Sequence, residues 1–109
     1  MNMDLNLSAT IPPEQHWKSL KGDEGNALEA LYLLYANPLF NYGSKFTSDS
    51  EQIRECIQSL FVKLWTSRHS LGNPENVRNY LFKAFRLALF KEIKRRQTQK
   101  EFDQDDDYV

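Results

Sequence analysis

Between Leu28 and Phe46, apolar side chains recur at steps of three and four, with one adjacent pair: Leu28, Leu31, Tyr32, Tyr35, Leu39, Tyr42 and Phe46. That spacing puts one face of an α-helix toward a core. Asp23 stands where an N-cap is needed. Pro38 lacks an amide donor and crowds the preceding turn at a cost of about 3 kcal/mol, which predicts a kink near Asn37, with Gly43 loosening the end. A second stripe, Ile53, Cys56, Ile57, Leu60 and Leu64, follows the Ser48–Glu51 capping box and predicts a helix reaching Arg68. Upstream, Pro12 and Pro13 suit the start and Gly22 the end of a short helix around EQHWKSLK, with Trp17 and Leu20 as its narrow apolar edge. After HSLGNPEN, in which Gly72 supplies a turn and Asn73 before Pro74 a cap, a last helix should run to about Thr98. No segment alternates with period two over five or more residues. The pattern predicts an all-α fold, a compact bundle of three long helices and one short N-terminal helix over residues 11–98, with a flexible segment 1–10 and an acidic tail 99–109.

The last helix, in the stretch YLFKAFRLALFKEIKRR, is too apolar for a solvated helix and too cationic for a buried one. Val77, Leu81, Ala84 and Ala88 fall on one line, flanked by Phe85 and Leu89 and followed by Ile93; these are assigned to the core. The opposite line holds Asn79, Lys83, Arg86, Phe90 and Lys94, with Phe82 close to it. Cations neutralise phosphates and release counterions, and exposed rings stack unpaired bases at about 1 to 3 kcal/mol per base. Tyr80, Phe82 and Phe90 are on this reading either stacking surfaces or ordinary packing. In the preceding helix Gln58, Phe61 and Trp65 follow at steps of three and four beside Arg54, a ridge suited to a partner helix or an enlarged core.

Charge sharpens this picture once it is divided along the chain. The 109 residues carry a formal net charge of −1, yet Arg78 to Lys100 holds eight bases against Glu92 alone. The tail from Glu101 holds five acids and no base. Such sectoring suggests a polyanion-facing helix beside an acidic body and an acidic tail, with a plain solvated helix face as the alternative that charge alone leaves open. The single Cys56 cannot form an internal bridge and has no neighbours at metal-ligand spacing, which points to a reducing cytoplasm and to no metal site. No apolar run approaches the roughly 20 residues of a membrane span, and the first residues lack the basic start of a secretion signal. No membrane partner and no cofactor are expected. The length allows one domain.

The order of these motifs resembles region 2 of bacterial extracytoplasmic-function sigma factors, over roughly His16 to Arg96. EQIRECIQSLFVKLW, followed after a polar loop by NVRNYLFKAFR and a basic end, carries the resemblance. It implies that the first string docks on the clamp-helix coiled coil of the RNA polymerase β′ subunit. Glu55 and Gln58 take the family's acid and glutamine, Phe61 its large apolar residue, and Ser59 stands where a second acid is usual. Arg54 and Trp65 complete the implied polymerase-binding set. The loop and last helix resemble the elements that recognise the minus-ten promoter element and hold its non-template strand open. Residues 69–76, with Asn73 and Asn76, would form the rim of a base pocket, while Arg78, Asn79, Lys83 and Arg86 grip the strand and Lys94 and Arg95 extend the basic surface. Tyr80 occupies the place of a family aromatic, and Leu87 a position where asparagine is frequent. An anti-sigma factor is a further partner class that the resemblance allows. Full family members continue through a linker into a helix-turn-helix domain, so QKEFDQDDDYV is expected to be the start of that linker and the chain a fragment. No catalytic group is implied, because a protein that binds only unpaired bases shifts the melting equilibrium by capture.

Two rival readings differ in class. A phosphotransfer bundle needs an exposed mid-helix histidine as nucleophile, whereas His16 lies in a first helical turn and His69 at a helix end or loop. A protein-only adaptor would use the aromatic ridges to bind helices and the basic end for solubility. Clustering of the bases on the Phe82 and Phe90 face favours DNA; a scattered ring favours the adaptor.

Overall fold

The computed structural model describes residues 11–107, so the expectation for 1–10 lies outside the described residues. Helix α1 spans Pro13–Lys21, α2 Gly25–Gly43, α3 Ser50–Thr66 and α4 Val77–Asp107, with a 3₁₀ turn at Arg68–Ser70 between α3 and α4. No strand occurs among the described residues, and the chain is a bundle of three long helices and one short one.

The buried side chains run along rows of step four. On α2 the row is Ala27, Leu31, Tyr35, Leu39 and Gly43, and on α4 it is Val77, Leu81, Phe85 and Leu89. Between them α3 inserts Ile53, Cys56, Ile57, Leu60, Phe61 and Leu64, while α1 closes one end with Trp17 and Leu20. Interlocking rows of this kind are how helices bury ridges in one another's grooves. The helices approach closely at Gly43, where an added Cβ would lie 2.9 Å from both Ile53 Cγ2 and Phe85 Cζ. Gly43 therefore lets three helices converge; it does not merely loosen a helix end.

Several local expectations shift. Helix α2 runs through Pro38 without a break, because buried Tyr35 and Leu39 on either side hold it to the core. Tyr32 and Phe46 of the expected stripe are partly exposed, since the row turns toward Ala27 and Gly43. Asp49, not Ser48, caps α3, its carboxylate accepting from the Gln52 amide at 3.1 Å. The helix ends at Thr66, short of Arg68. Asn76, not Asn73, caps α4 by accepting from the Asn79 amide at 2.9 Å. On α4 the larger Phe85 and Leu89 take the centre of the core, leaving Ala84 half-buried and Ala88 exposed. That helix also continues past Thr98 to Asp107.

Candidate nucleic-acid interface

The face of α4 opposite the Leu81 and Phe85 row carries Asn79, Lys83, Arg86, Leu87, Phe90 and Lys94, all exposed. Among the described residues, no carboxylate lies within ion-pair distance of Lys83, Arg86, Lys91 or Lys94. The remaining cations of the helix end differ. Arg95 is bound to Glu92 at 2.6 Å, and Arg96 bridges Glu55 at 2.9 Å, Glu92 at 3.3 Å and Asp49 at 3.4 Å. Hydrogen bonds from Arg95, then its charge and those of Arg96, hold the Glu92 carboxyl below its ordinary value. The basic segment is thus sorted by acids of its own fold. Its last two arginines are engaged internally, and among the described residues the outward-facing Lys83, Arg86, Lys91 and Lys94 have no acidic partner.

The aromatic rings are neither fully buried nor free. Tyr80 is 40 % exposed and meets Trp17 edge-on, with centroids 5.2 Å apart. Phe82 is half-buried, packed on Tyr42 at 5.1 Å, with the Arg78 guanidinium over its other side at 4.2 Å. Phe90 is 38 % exposed, rests edge-on against Phe46 at 4.9 Å, and has Arg86 over it at 5.3 Å. Each ring has one side fixed by the bundle. Phe82 leans on the end of α2 and Phe90 on the turn that follows it. Cations seated over rings form a surface that is apolar and positive at once, which suits stacked bases joined by phosphates. Leu87, 63 % exposed, sits among these cations and is an apolar point that charge counting passes over.

The residues of the preceding loop expected to rim a base pocket are also placed. Asn73 accepts from Lys21 Nζ at 3.1 Å, and Asn76 is engaged as the α4 cap. Both are exposed, like Arg78 and Asn79 beside them.

On α3 the outward face presents Arg54, Glu55, Gln58, Ser59 and Val62. Phe61 is not part of that surface. It is 4 % exposed and packs edge-on against Tyr32 at 5.2 Å, so its role as a docking contact is replaced by one in the core. Trp65 is half-buried under the Arg68 guanidinium, 3.8 Å from its ring centroid. The exposed apolar residue of this face is Val62, 62 % exposed and four residues after Gln58. Its step from Gln58 and its place between Leu60 and Leu64 were the available signal. Arg54 stacks over Phe40 at 5.3 Å, which extends this face to α2.

Residues 31–99 match the model of the family described as Sigma-70 region 2. The chain belongs to the sigma-70 region 2 family. Comparison with curated proteins and with solved structures gives no match. The matched span begins within α2 and covers α3, the loop and most of α4, the elements that bear both exposed faces. As a sigma-70 region 2 domain, the chain has a role in promoter recognition, with RNA polymerase core and promoter DNA as its partners. The family is not one of enzymes. Among the described residues there is no cluster of three metal-ligating side chains and no helix long and apolar enough to cross a membrane.

Proposed function

We propose that this sigma-70 region 2 domain is of the extracytoplasmic-function type and works through two separate faces. The outward side of α3, with Arg54, Glu55, Gln58, Ser59 and Val62, docks on the clamp-helix coiled coil of the polymerase β′ subunit. The outward side of α4 receives the non-template strand of the minus-ten element once it is unpaired. Capture of unpaired bases offsets a melting cost of a few kcal/mol per base and leaves the chemistry to polymerase. An anti-sigma factor is a further partner class open to the same surfaces.

The observation that carries this reading is the one-sided line of Lys83, Arg86 and Lys94 with Phe90 among them, without acidic partners among the described residues while Arg95 and Arg96 are paired internally. A solubilising ring of charge would not be sorted in this way. Single-stranded promoter DNA should bind with strong salt dependence, each phosphate contact contributing about 0.7 to the logarithmic slope. The test is transcription by polymerase complexed with the chain carrying Lys83→Glu and Arg86→Glu. Loss of open complex with retained polymerase binding is expected, and intact transcription would remove the DNA face.

A further inference from the structure

The α3–α4 loop has almost no regular structure of its own, yet it is fastened to the corner between α1 and α2 at four points along its length. Arg68 donates to Asp23 Oδ1 at 2.6 Å and, through its other arm, to the Trp65 carbonyl at 2.7 Å. His69 Nε2 lies 3.0 Å from the same Asp23 oxygen. The indole of Trp17, 2 % exposed, donates to the Gly72 carbonyl at 2.8 Å. Lys21 donates to Asn73 at 3.1 Å. Asp23 is the only non-glycine residue described with positive φ, at 67°, a region that aspartate enters more readily than most side chains. It caps no helix; the α2 cap position is Glu24, which makes no side-chain cap bond.

We propose that the α1–α2 corner, with Asp23 as its positioning residue, holds the α3–α4 loop in the shape in which it discriminates a promoter base. This rests on the reading that the loop rims a base pocket. A loop without its own hydrogen-bond ladder must otherwise be ordered at the moment of binding, and that ordering is subtracted from the difference between right and wrong base. Fixing Arg68, His69, Gly72 and Asn73 beforehand removes the cost. The anchors lie at or near the turn joining α1 and α2, outside the α4 face, so their loss alters base choice without removing phosphate contacts.

The test compares Asp23→Gly and Asp23→Asn in the complex with RNA polymerase core. Glycine accepts the left-handed backbone and deletes the carboxylate, and asparagine keeps an acceptor for Arg68. Both tryptophans, Trp17 and Trp65, touch the clamp, so their emission and quenching report on it directly. Amide exchange over residues 67–76 gives a second measure. Base preference is read by selecting random single-stranded oligonucleotides on the complex and sequencing those retained.

For Asp23→Gly the expected result is faster loop exchange, more quenchable tryptophan emission and a base preference lowered about fivefold, the size of one partly exposed charged contact. Total oligonucleotide binding at fixed salt stays within twofold, and Asp23→Asn recovers part of the preference. Unchanged loop exchange in Asp23→Gly overturns the clamp. A loosened loop with undiminished base preference overturns the positioning role while leaving the DNA-binding reading intact. Absence of base preference in the unmodified complex overturns the pocket reading itself.

Discussion

Phe61 and Gln58 lie three residues apart on α3, and their burial separates folding from docking in a way that can be measured. Phe61 is 4 % exposed and fills the space between α3 and Tyr32 of α2, so Phe61→Ala leaves a cavity worth about 3 to 5 kcal/mol. A domain of this size has roughly 5 to 15 kcal/mol of stability in total, so the loss is at least about a fifth of it and at the upper end nearly all of it. Gln58 is exposed and makes no hydrogen bond to another described side chain, so Gln58→Ala should change stability by no more than about 0.5 kcal/mol. On the proposed docking face, however, its loss should weaken binding to a β′ coiled-coil fragment by about 1 kcal/mol, roughly fivefold. Urea unfolding monitored by tryptophan emission gives the stabilities, and fragment titration gives the affinities. The reasoning fails if Phe61→Ala keeps full stability while losing binding, which would place the ring on the surface. It fails equally if Gln58→Ala binds the fragment unchanged.

Three further outcomes follow from the same contacts. Lys83→Ala and Lys94→Ala should each lower the salt slope of single-stranded DNA binding by about 0.7, and Arg95→Ala by less, because its guanidinium is held by Glu92; equal slopes for all three would show that the internal pairing is irrelevant. Gly43→Ala should lower the urea midpoint by about 1 kcal/mol equivalent, as strain from the 2.9 Å approaches to Ile53 and Phe85 exceeds the gain in helix propensity; a raised midpoint would show that those side chains yield freely. Burial, with a smaller contribution from Glu92, pushes the Cys56 thiol from its ordinary 9.0 up to about 11. The folded state then keeps a proton that the unfolded state releases, so this stabilisation is present below pH 9 and lost as pH rises toward 11. Cys56→Ala should lack that decline, up to roughly 2 kcal/mol, and parallel pH profiles for the two proteins would refute it.

The helical class and the elements were legible because apolar spacing reports the buried face directly. Leu31, Tyr35, Leu39, Ile53, Leu60 and Leu81 all lie where their spacing puts them. What periodicity could not resolve is which of two adjacent apolar lines wins. Ala84 and Ala88 share the line of Val77 and Leu81, but burying Phe85 and Leu89 removes more apolar surface, and the helix turns accordingly. The same ambiguity left Phe61 open between a docking ridge and an enlarged core, and left Val62 unmarked. Capping was legible in kind and displaced in register, with Asp49 for Ser48 and Asn76 for Asn73, because several polar residues at each helix start can reach a free amide. The basic face was readable from residue order, since charge and period coincide there. Its sorting by Glu92, Glu55 and Asp49 was not, as Arg96 meets partners 41 and 47 residues away. The anchoring of the loop by Asp23 and Trp17 depends on equally remote pairs and leaves no mark in local sequence.

The central claim is that the outward side of α4 touches the unpaired non-template strand. It is tested most directly by replacing Phe90, half-exposed beside Arg86, with the photoreactive p-benzoylphenylalanine and irradiating the complex of the chain with RNA polymerase and promoter DNA. A crosslink to the non-template strand, present in the open complex and absent with unmelted duplex, is the predicted result. Crosslinking only to polymerase, or equally to either strand of closed duplex, would contradict the account.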